Sequence, residues 1–205
     1  MTDHFYLLNE PRRPWLDPAA LKTKFLALSS AVHPDRVHGA GAAEKAGANQ
    51  RYAELNSAYN CLRDPKERLR HLLELESNAP PKDVQRIPPG AMDWFMEVGQ
   101  LCREADGFLA EKSKVTSPLL KVRLFEQGMA WTDKLNQLQQ RIHGQREALL
   151  AELRAMNPAW ETAPPPGSQR QAALPLERLE QIYRILSYVG RWSEQLQERV
   201  VQLSF

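Results

Sequence analysis

Apolar residues recur every three or four positions along most of the chain, which is the period of an amphipathic α-helix. The clearest run consists of Leu21, Phe25, Leu28 and Val32. Asp17 and Pro18 stand just before this run, where an aspartate caps a first turn and a proline fills the first helical position. The alternation typical of strands is nearly absent, so the sequence predicts an all-α protein.

The first 76 residues predict a hairpin of helices. A short helix over residues 3–8 precedes the capped helix, which should end at His33 because Pro34 disfavours the α conformation there. After a connector rich in Gly and Ala, a second helix is predicted over residues 42–63. Its apolar face consists of Tyr52, Leu55, Tyr59 and Leu62. Two such faces joined by a short loop predict antiparallel packing, and residues 66–75 should pack back on the pair.

The proline-rich residues 77–90 have the composition of a surface linker. Residues 91–205 then predict a bundle of three helices. The first covers 91–112, the second runs from Pro118 towards Met156 and stops at Asn157–Pro158, and the last begins near Leu176. Residues 163–175 are predicted to form a mobile loop.

Each bundle helix carries an apolar stripe that is expected to face inward. The first stripe consists of Phe95, Val98, Leu101, Cys102, Ala105 and Phe108. The second consists of Val122, Phe125, Met129, Leu135, Leu138, Ile142, Leu149 and Leu153. The third consists of Leu176, Leu179, Ile182, Leu186, Val189, Leu196, Val200 and Leu203.

Composition narrows the possible functions. The 205 residues include 27 basic and 25 acidic side chains, a net charge of +2, which is too small for neutralising a run of nucleic-acid phosphates. The first residues have no signal-peptide character, and no apolar run approaches the length of a membrane span. We therefore expect a cytoplasmic protein that binds neither nucleic acid nor membrane.

Candidate metal ligands are isolated. Cys61 and Cys102 lack a partner at metal-binding spacing and are expected to be buried free thiols. His4 and His38 are expected at the surface, with no carboxylate or cysteine at ligand spacing. No metal site and no cofactor are predicted, and the absence of a glycine-rich phosphate loop argues against nucleotide binding by the chain itself.

The motif of greatest interest is His33-Pro34-Asp35, which lies between the two predicted hairpin helices. Pro34 fixes the backbone, so that His33 and Asp35 project from the tip as a donor and a carboxylate acceptor. The simpler interpretation is an ordinary turn with a local bond from the Asp35 side chain. The capped helix before the tripeptide and the paired helix after it favour a functional tip.

This arrangement resembles the J domain of the DnaJ superfamily, and the whole chain resembles the HscB family of iron–sulfur cluster assembly co-chaperones. The resemblance includes residues 3–8, 55–59 and 68–75, the stretch Phe95-Met96-Glu97, and the ending Leu203-Ser204-Phe205. It implies a J domain over residues 1–76, a linker over 77–90, and a client-binding three-helix bundle over 91–205.

By this resemblance, the tripeptide recruits and stimulates a DnaK- or HscA-type ATPase, and Asp35 engages an arginine of that chaperone. Lys22, Lys24 and Arg36 are the nearby cations, although the turn before the tripeptide is less basic than in most J domains. The bundle holds a client, expected to be an iron–sulfur scaffold protein of the IscU type. Met96, Leu101 and Glu104 are its candidate contacts.

The resemblance implies that the chain is not an enzyme. Two alternatives remain open. The bundle can serve another client, since the stretch that matches the family's client contacts, residues 96–101, contains Gly99, which costs helix stability without packing anything. Alternatively, the chain is a non-catalytic helical scaffold that oligomerises through its long helices. The outer faces of these helices are rich in Gln, Arg and Glu, which is more typical of a solvated surface than of an interface.

Overall fold

The computed structural model describes residues 2–33, 41–81, 87–88 and 90–204. These residues form helices and no strand, which confirms the all-α prediction. The helices are α1 (His4–Leu7), α2 (Pro18–Ala31), α3 (Ala42–Arg63), α4 (Pro65–Ser77), α5 (Met92–Lys112), α6 (Pro118–Glu161), α7 (Ser168–Ala173) and α8 (Leu176–Leu203).

The chain divides into two compact units. The first combines Met1–Lys82 with Leu150–Tyr183, and the second combines Asp83–Leu149 with Arg184–Phe205. Helices α6 and α8 therefore each contribute one part to each unit. The domain division at residues 77–90 stays a prediction, because a compact cluster of contacts is not the same as an independently folding domain.

Aspartate caps begin three of the helices in the first unit. Oδ1 of Asp3 accepts from the N–H groups of Phe5 and Tyr6, at 3.0 and 3.3 Å. The Asp17 side chain accepts from Ala20 at 2.8 Å, with Pro18 in the first turn as predicted. Asp64 accepts from the Glu67 N–H at 2.9 Å, so it ends α3 and starts α4.

Helix α3 contacts α1, α2 and α4 and lies at the centre of the first unit. Leu21 of α2 and Leu55 and Leu62 of α3 are buried, as the predicted hairpin faces require. The rings of Phe25 and Tyr59 stack between the two helices, with centroids 4.3 Å apart. The predicted hairpin of α2 and α3 is thus confirmed.

Helix α4 buries three polar or charged side chains together with its leucines, Leu69, Leu72 and Leu73. Arg68, only 3% exposed, donates from Nε to the Pro14 carbonyl at 2.8 Å and from an Nη to the Leu62 carbonyl at 2.6 Å. Burial lowers the pKa of Arg68 to about 10. Arg68 therefore joins the loop before α2 to the end of α3.

His71, one turn later on α4, holds the start of α1. Its Nε2 accepts from the backbone N–H of His4 at 3.1 Å, and the two imidazole rings lie 4.4 Å apart. His4 is half-buried rather than at the surface, which corrects the sequence prediction, because α4 covers it. Burial is the main cause that lowers the pKa of His71 to about 4, and burial also lowers the pKa of His4.

Helix α6 does not stop at Asn157–Pro158, contrary to the prediction. It continues to Glu161 although Pro158 removes one helical donor. Asn157 compensates by accepting from the Trp15 N–H and donating to the Trp15 carbonyl, both at 3.0 Å. Trp160, in the turn after the proline, is buried. These contacts within the first unit keep the last turn helical.

Residues 163–175, predicted as a mobile loop, contain α7 and are attached to α4. Arg170 donates to both carboxylate oxygens of Glu76, at 2.7 and 2.9 Å, and also to the Pro164 carbonyl. Gln171 donates to the Glu76 carbonyl at 2.7 Å. The prediction failed because composition gave no sign of the buried Glu76, which is 4% exposed.

The second unit is built on the inward faces of α5, the first part of α6 and the last part of α8. Its buried residues include Val98, Cys102, Ala105, Phe108, Leu135, Leu138, Ile142, Leu186, Val189, Trp192 and Leu196. Four residues assigned inward are instead exposed: Phe95, Val122, Phe125 and Met129. Each lies on a helix whose other face already supplies the core residues, so the spacing alone could not separate the two faces.

The two cysteines are free thiols. Cys102 is buried as predicted, whereas Cys61 is half-buried and donates weakly to the Glu67 carbonyl at 3.6 Å. Burial is the leading cause that raises the pKa of both thiols, to about 11 for Cys61. Neither is activated as a nucleophile. In the described part of the chain, no helix combines the length and apolarity needed to cross a membrane.

Stability should rise with pH through the His71 transition. The neutral imidazole accepts the His4 N–H, and protonation removes that acceptor. Since the folded pKa, about 4, lies below the unfolded value of about 6.5, the contribution is complete above pH 6.5 and is lost between pH 6.5 and 4. We expect a loss of roughly 2 kcal/mol in the free energy of unfolding over this window, measured by urea denaturation.

The control for this prediction is His71→Gln, because a glutamine oxygen can accept the same N–H without titrating. Its unfolding free energy should depend less on pH than that of the unaltered protein. An unchanged pH dependence in His71→Gln would show that other groups cause the effect.

Removing Arg170 should be costly because it leaves the Glu76 carboxylate buried without its partner. We expect Arg170→Ala to lower the free energy of unfolding by about 3 kcal/mol. The double variant Glu76→Leu/Arg170→Ala should recover most of this loss, since the buried charge is then absent. Urea denaturation of the three proteins measures both effects, and a single-variant loss below about 0.5 kcal/mol contradicts the role of the pair.

Candidate functional site

The tip of the α2–α3 hairpin carries the first residue of the predicted tripeptide. Helix α2 ends at Ala31, and Val32 is its C-cap. His33 is half-buried, and its ring meets the Tyr52 ring edge-on, with centroids 5.2 Å apart and an interplanar angle of 81°. His33 therefore packs against α3 instead of projecting freely. Pro34 and Asp35 lie outside the described residues, as does Arg36, and their predicted roles stay predictions.

Two aromatic contacts set the spacing of the hairpin below this tip. The His33–Tyr52 pair lies nearest the loop, and the stacked Phe25–Tyr59 pair lies two turns further down. The Arg63 guanidinium lies 5.7 Å from the centre of the Tyr59 ring. Edge-on and stacked rings are favourable beyond the area they bury, so the position of His33 is fixed relative to α3.

The predicted cations of α2 differ in their surroundings. Lys22 is exposed. Lys24 lies 2.6 Å from a Glu10 carboxylate oxygen and donates to the Asn9 carbonyl at 3.0 Å. Lys24 thus fastens the loop between α1 and α2, whereas Lys22 presents its charge to solvent.

The candidate client contacts lie on α5 but do not form one face. Met96 is 59% exposed. Leu101, five residues later, is about 140° further around the helix. It is half-buried in a groove that also contains Lys134, Gln137 and Leu138 of α6. Glu104 is exposed, and its carboxylate accepts from Gln100 at 2.9 Å. Leu101 therefore packs between helices, while Met96 faces solvent.

Two further apolar side chains join Met96. Met92 is 52% exposed and Phe95 is 42% exposed, and the spacing of three and four from Met92 puts all three on one face of α5. We call Met92, Phe95 and Met96 the α5 patch. Spacing alone did not identify this face, because Phe95 is also in register with Val98 and Cys102 of the inward stripe, and only the structure shows that Phe95 is exposed.

Contacts between α5 and α6 hold the helix that carries the α5 patch. The Arg141 guanidinium of α6 lies 5.0 Å from the centre of the Trp94 ring and forms an ion pair with Glu97. Gly99 follows the patch, and a Cβ there would meet only the end of the Arg103 side chain, at 3.4 Å. Internal packing therefore does not require a glycine at this position.

Chemistry-bearing groups do not gather into a catalytic or metal centre in the part of the chain that the structure describes. No three side chains of His, Cys, Asp or Glu there are placed to hold a metal ion. The features left for function are a hairpin tip and an exposed apolar helix face, and both suit contacts with other proteins.

Known sequences that are similar to this chain include co-chaperones. A scan of protein-family models gives no match. The co-chaperone protein HscB homologue of Bordetella pertussis is 47% identical over 128 residues, which are 59% of this chain and 74% of that protein. The HscB homologue of Burkholderia mallei is 29% identical over 195 residues, which are 95% of both chains.

Solved structures agree in fold. The chaperone HscB from Vibrio cholerae matches with a TM-score of 0.54 and 24% identity, covering 96% of both chains. The human co-chaperone protein HscB matches with a TM-score of 0.65 and 17% identity, covering 97% of this chain and 82% of that one. These likenesses extend the agreement over nearly the whole chain.

Proposed function

Since the chain belongs to the HscB family of co-chaperones, we propose that its J domain recruits a DnaK- or HscA-type chaperone and stimulates ATP hydrolysis there. The bundle meanwhile holds the client to be delivered. The protein catalyses no reaction itself and acts by contact alone. Residues 1–76 form the J domain in this proposal, residues 77–90 the linker, and residues 91–205 the client-binding part.

The packing of His33 on Tyr52 is the observation that carries the recruitment proposal. An edge-on aromatic contact gives His33, the first residue of the tripeptide, a defined position on α3. A fixed starting point lowers the entropy lost on binding. The Asp35 carboxylate then offers a charge-assisted bond to an arginine of the ATPase, and Lys22 adds an exposed cation that steers association with an acidic surface.

Replacing the carboxylate of Asp35 should abolish this function. We expect Asp35→Asn to reduce the stimulation of single-turnover ATP hydrolysis by a DnaK-class chaperone at least tenfold, because the amide carries no charge. Asp133→Asn is the matched control, since Asp133 is exposed on α6. Equal stimulation by Asp35→Asn and the unaltered protein rules out the proposal.

The α5 patch supports the proposal for the client, which we take to be an iron–sulfur scaffold protein of the IscU type. Three large apolar side chains in two turns of helix form a compact anchor of the kind that dominates protein interfaces. Met96 keeps its proposed role. Glu104 is exposed on another face of α5 and is assigned to the rim of the interface. Leu101 contributes mainly by holding α5 on α6.

Client binding should depend on the patch. We expect Phe95→Ser/Met96→Ser to weaken the binding of the scaffold protein to the full chain at least tenfold, because two anchors are lost. Isothermal titration calorimetry measures the affinity. Leu119→Ser is the control, since Leu119 is 82% exposed on α6 away from the patch. An equal affinity for the double variant and the control contradicts the assignment.

A different client is the second candidate, and Gly99 is the observation that favours it. A glycine has no side chain, so this helix leaves a gap beside Phe95 and Met96, and the surface fits a partner of another shape. Stimulation of the ATPase by the full chain, together with no measurable affinity for an IscU-type protein, distinguishes this candidate from the first.

A further inference from the structure

A second apolar surface lies at the other end of α5, where the chain turns into α6. Five of the eleven large apolar side chains that are exposed in the described part lie in the first turns of α6: Leu119, Leu120, Val122, Phe125 and Met129. The first three helical turns of α6 contribute little to the core, since Leu135 is the first large apolar residue of α6 that is buried. We call this region, residues 112–129, the α6 tip.

The charge of the α6 tip is mostly positive. Residues 112–129 contain four basic side chains, Lys112, Lys114, Lys121 and Arg123, and one acidic side chain, Glu126. Lys112 donates to the Leu203 carbonyl at 3.0 Å and so serves the end of α8. Lys114, Lys121 and Arg123 are exposed. The apolar side chains are therefore accompanied by three cations that have no role in the core.

Part of the surface, on the side of Phe125, is concave. A groove of about 540 Å³ lies between the end of α5, the start of α6 and the end of α8. Its apolar lining comes from Leu109, Val115, Leu124, Phe125 and Leu203, and Lys121 stands beside them. Such a groove accepts the apolar face of a helix, as in other helix-in-groove complexes.

The α6 tip is separate from the α5 patch. Met96 and Lys112 lie 16 residues apart on one helix, which corresponds to about 24 Å along its axis. A partner helix can therefore occupy the groove while a client occupies the patch.

We propose that the α6 tip is a docking surface for an acidic amphipathic helix of a partner protein. Its apolar side chains would enter the groove, and its carboxylates would pair with Lys121 in the lining and with Lys114, which stands between the lining residues Ser113 and Val115. A second copy of this chain fits less well, because a symmetric contact would bring like charges together. A helix is favoured over a lipid surface because Phe125 and Lys121 belong to the lining of a groove, which a planar membrane would leave unfilled.

The probe is a synthetic helical peptide with leucines at positions i, i+3, i+4 and i+7 and glutamates elsewhere on its surface. Added to the ¹⁵N-labelled full chain, it should shift the amide signals of residues 112–129 and 202–204 and leave those of the α5 patch unchanged. The same peptide with lysine in place of glutamate should bind at least tenfold more weakly.

Two variants of the full chain test the two parts of the surface. Phe125→Ser removes an exposed ring, and Lys114→Glu/Lys121→Glu reverses charge at two exposed side chains, so neither disturbs the core. Each should weaken peptide binding at least tenfold, whereas Met96→Ser should leave it unchanged.

Four results overturn the proposal: no binding of the glutamate peptide, equal binding of the lysine peptide, unchanged binding by both tip variants, or loss of binding with Met96→Ser. Two further measurements separate other occupants. Sedimentation with phosphatidylglycerol vesicles that Phe125→Ser abolishes assigns the tip to membranes instead. Self-association in analytical ultracentrifugation that Phe125→Ser abolishes assigns it to a second copy.

Discussion

Arg68 carries a charge into a position where only 3% of its surface remains exposed. A buried guanidinium is costly unless its donors are satisfied, and here backbone carbonyls satisfy it. One belongs to Leu62, near the C-terminal end of α3, where free carbonyls and the helix dipole favour a cation. The other belongs to Pro14, in the loop before α2. The first unit can satisfy Arg68 only when these three segments meet, which makes its arrangement specific.

The contacts of Arg68 also affect the hairpin tip, because α3 connects the two. Arg68 holds the C-terminal end of α3. Nearer the start of α3, Tyr59 packs on Phe25 of α2 and Tyr52 packs on His33, which follows α2. A rigid α3 therefore transmits the position set at α4 to the start of the tripeptide. His71 and Glu76, on the following turns of α4, hold α1 and α7. One helix of 13 residues thus organises the surroundings of the proposed chaperone-binding tip.

Local signals predicted the parts of the fold that depend on local chemistry. Asp17–Pro18 marked a helix start correctly, because capping involves residues three positions apart. The predictions failed where contacts with residues distant in the sequence determine whether a segment is helical. Pro158 stays helical because Asn157 binds the backbone of Trp15, 142 residues earlier, and α7 forms beside Glu76. For the candidate site, the tripeptide and Met96 were identified from sequence, but the α5 patch required knowing which of two apolar faces was already buried.

Exposure of the α5 patch and the α6 tip follows from the geometry of a three-helix arrangement. Each helix needs one stripe for the core, and Val98, Cys102 and Ala105 on α5 and Leu135, Leu138 and Ile142 on α6 supply it. Folding therefore places no demand on Phe95, Met96 or Phe125, where polar side chains would be equally compatible with the core. Contiguous apolar side chains at such positions favour aggregation unless a partner covers them. Their presence is better explained by intermolecular contacts than by stability. The two surfaces also differ in charge, because Lys121 stands beside Phe125 in the groove, whereas Arg141 at the base of the α5 patch is paired with Glu97; this difference favours different partners.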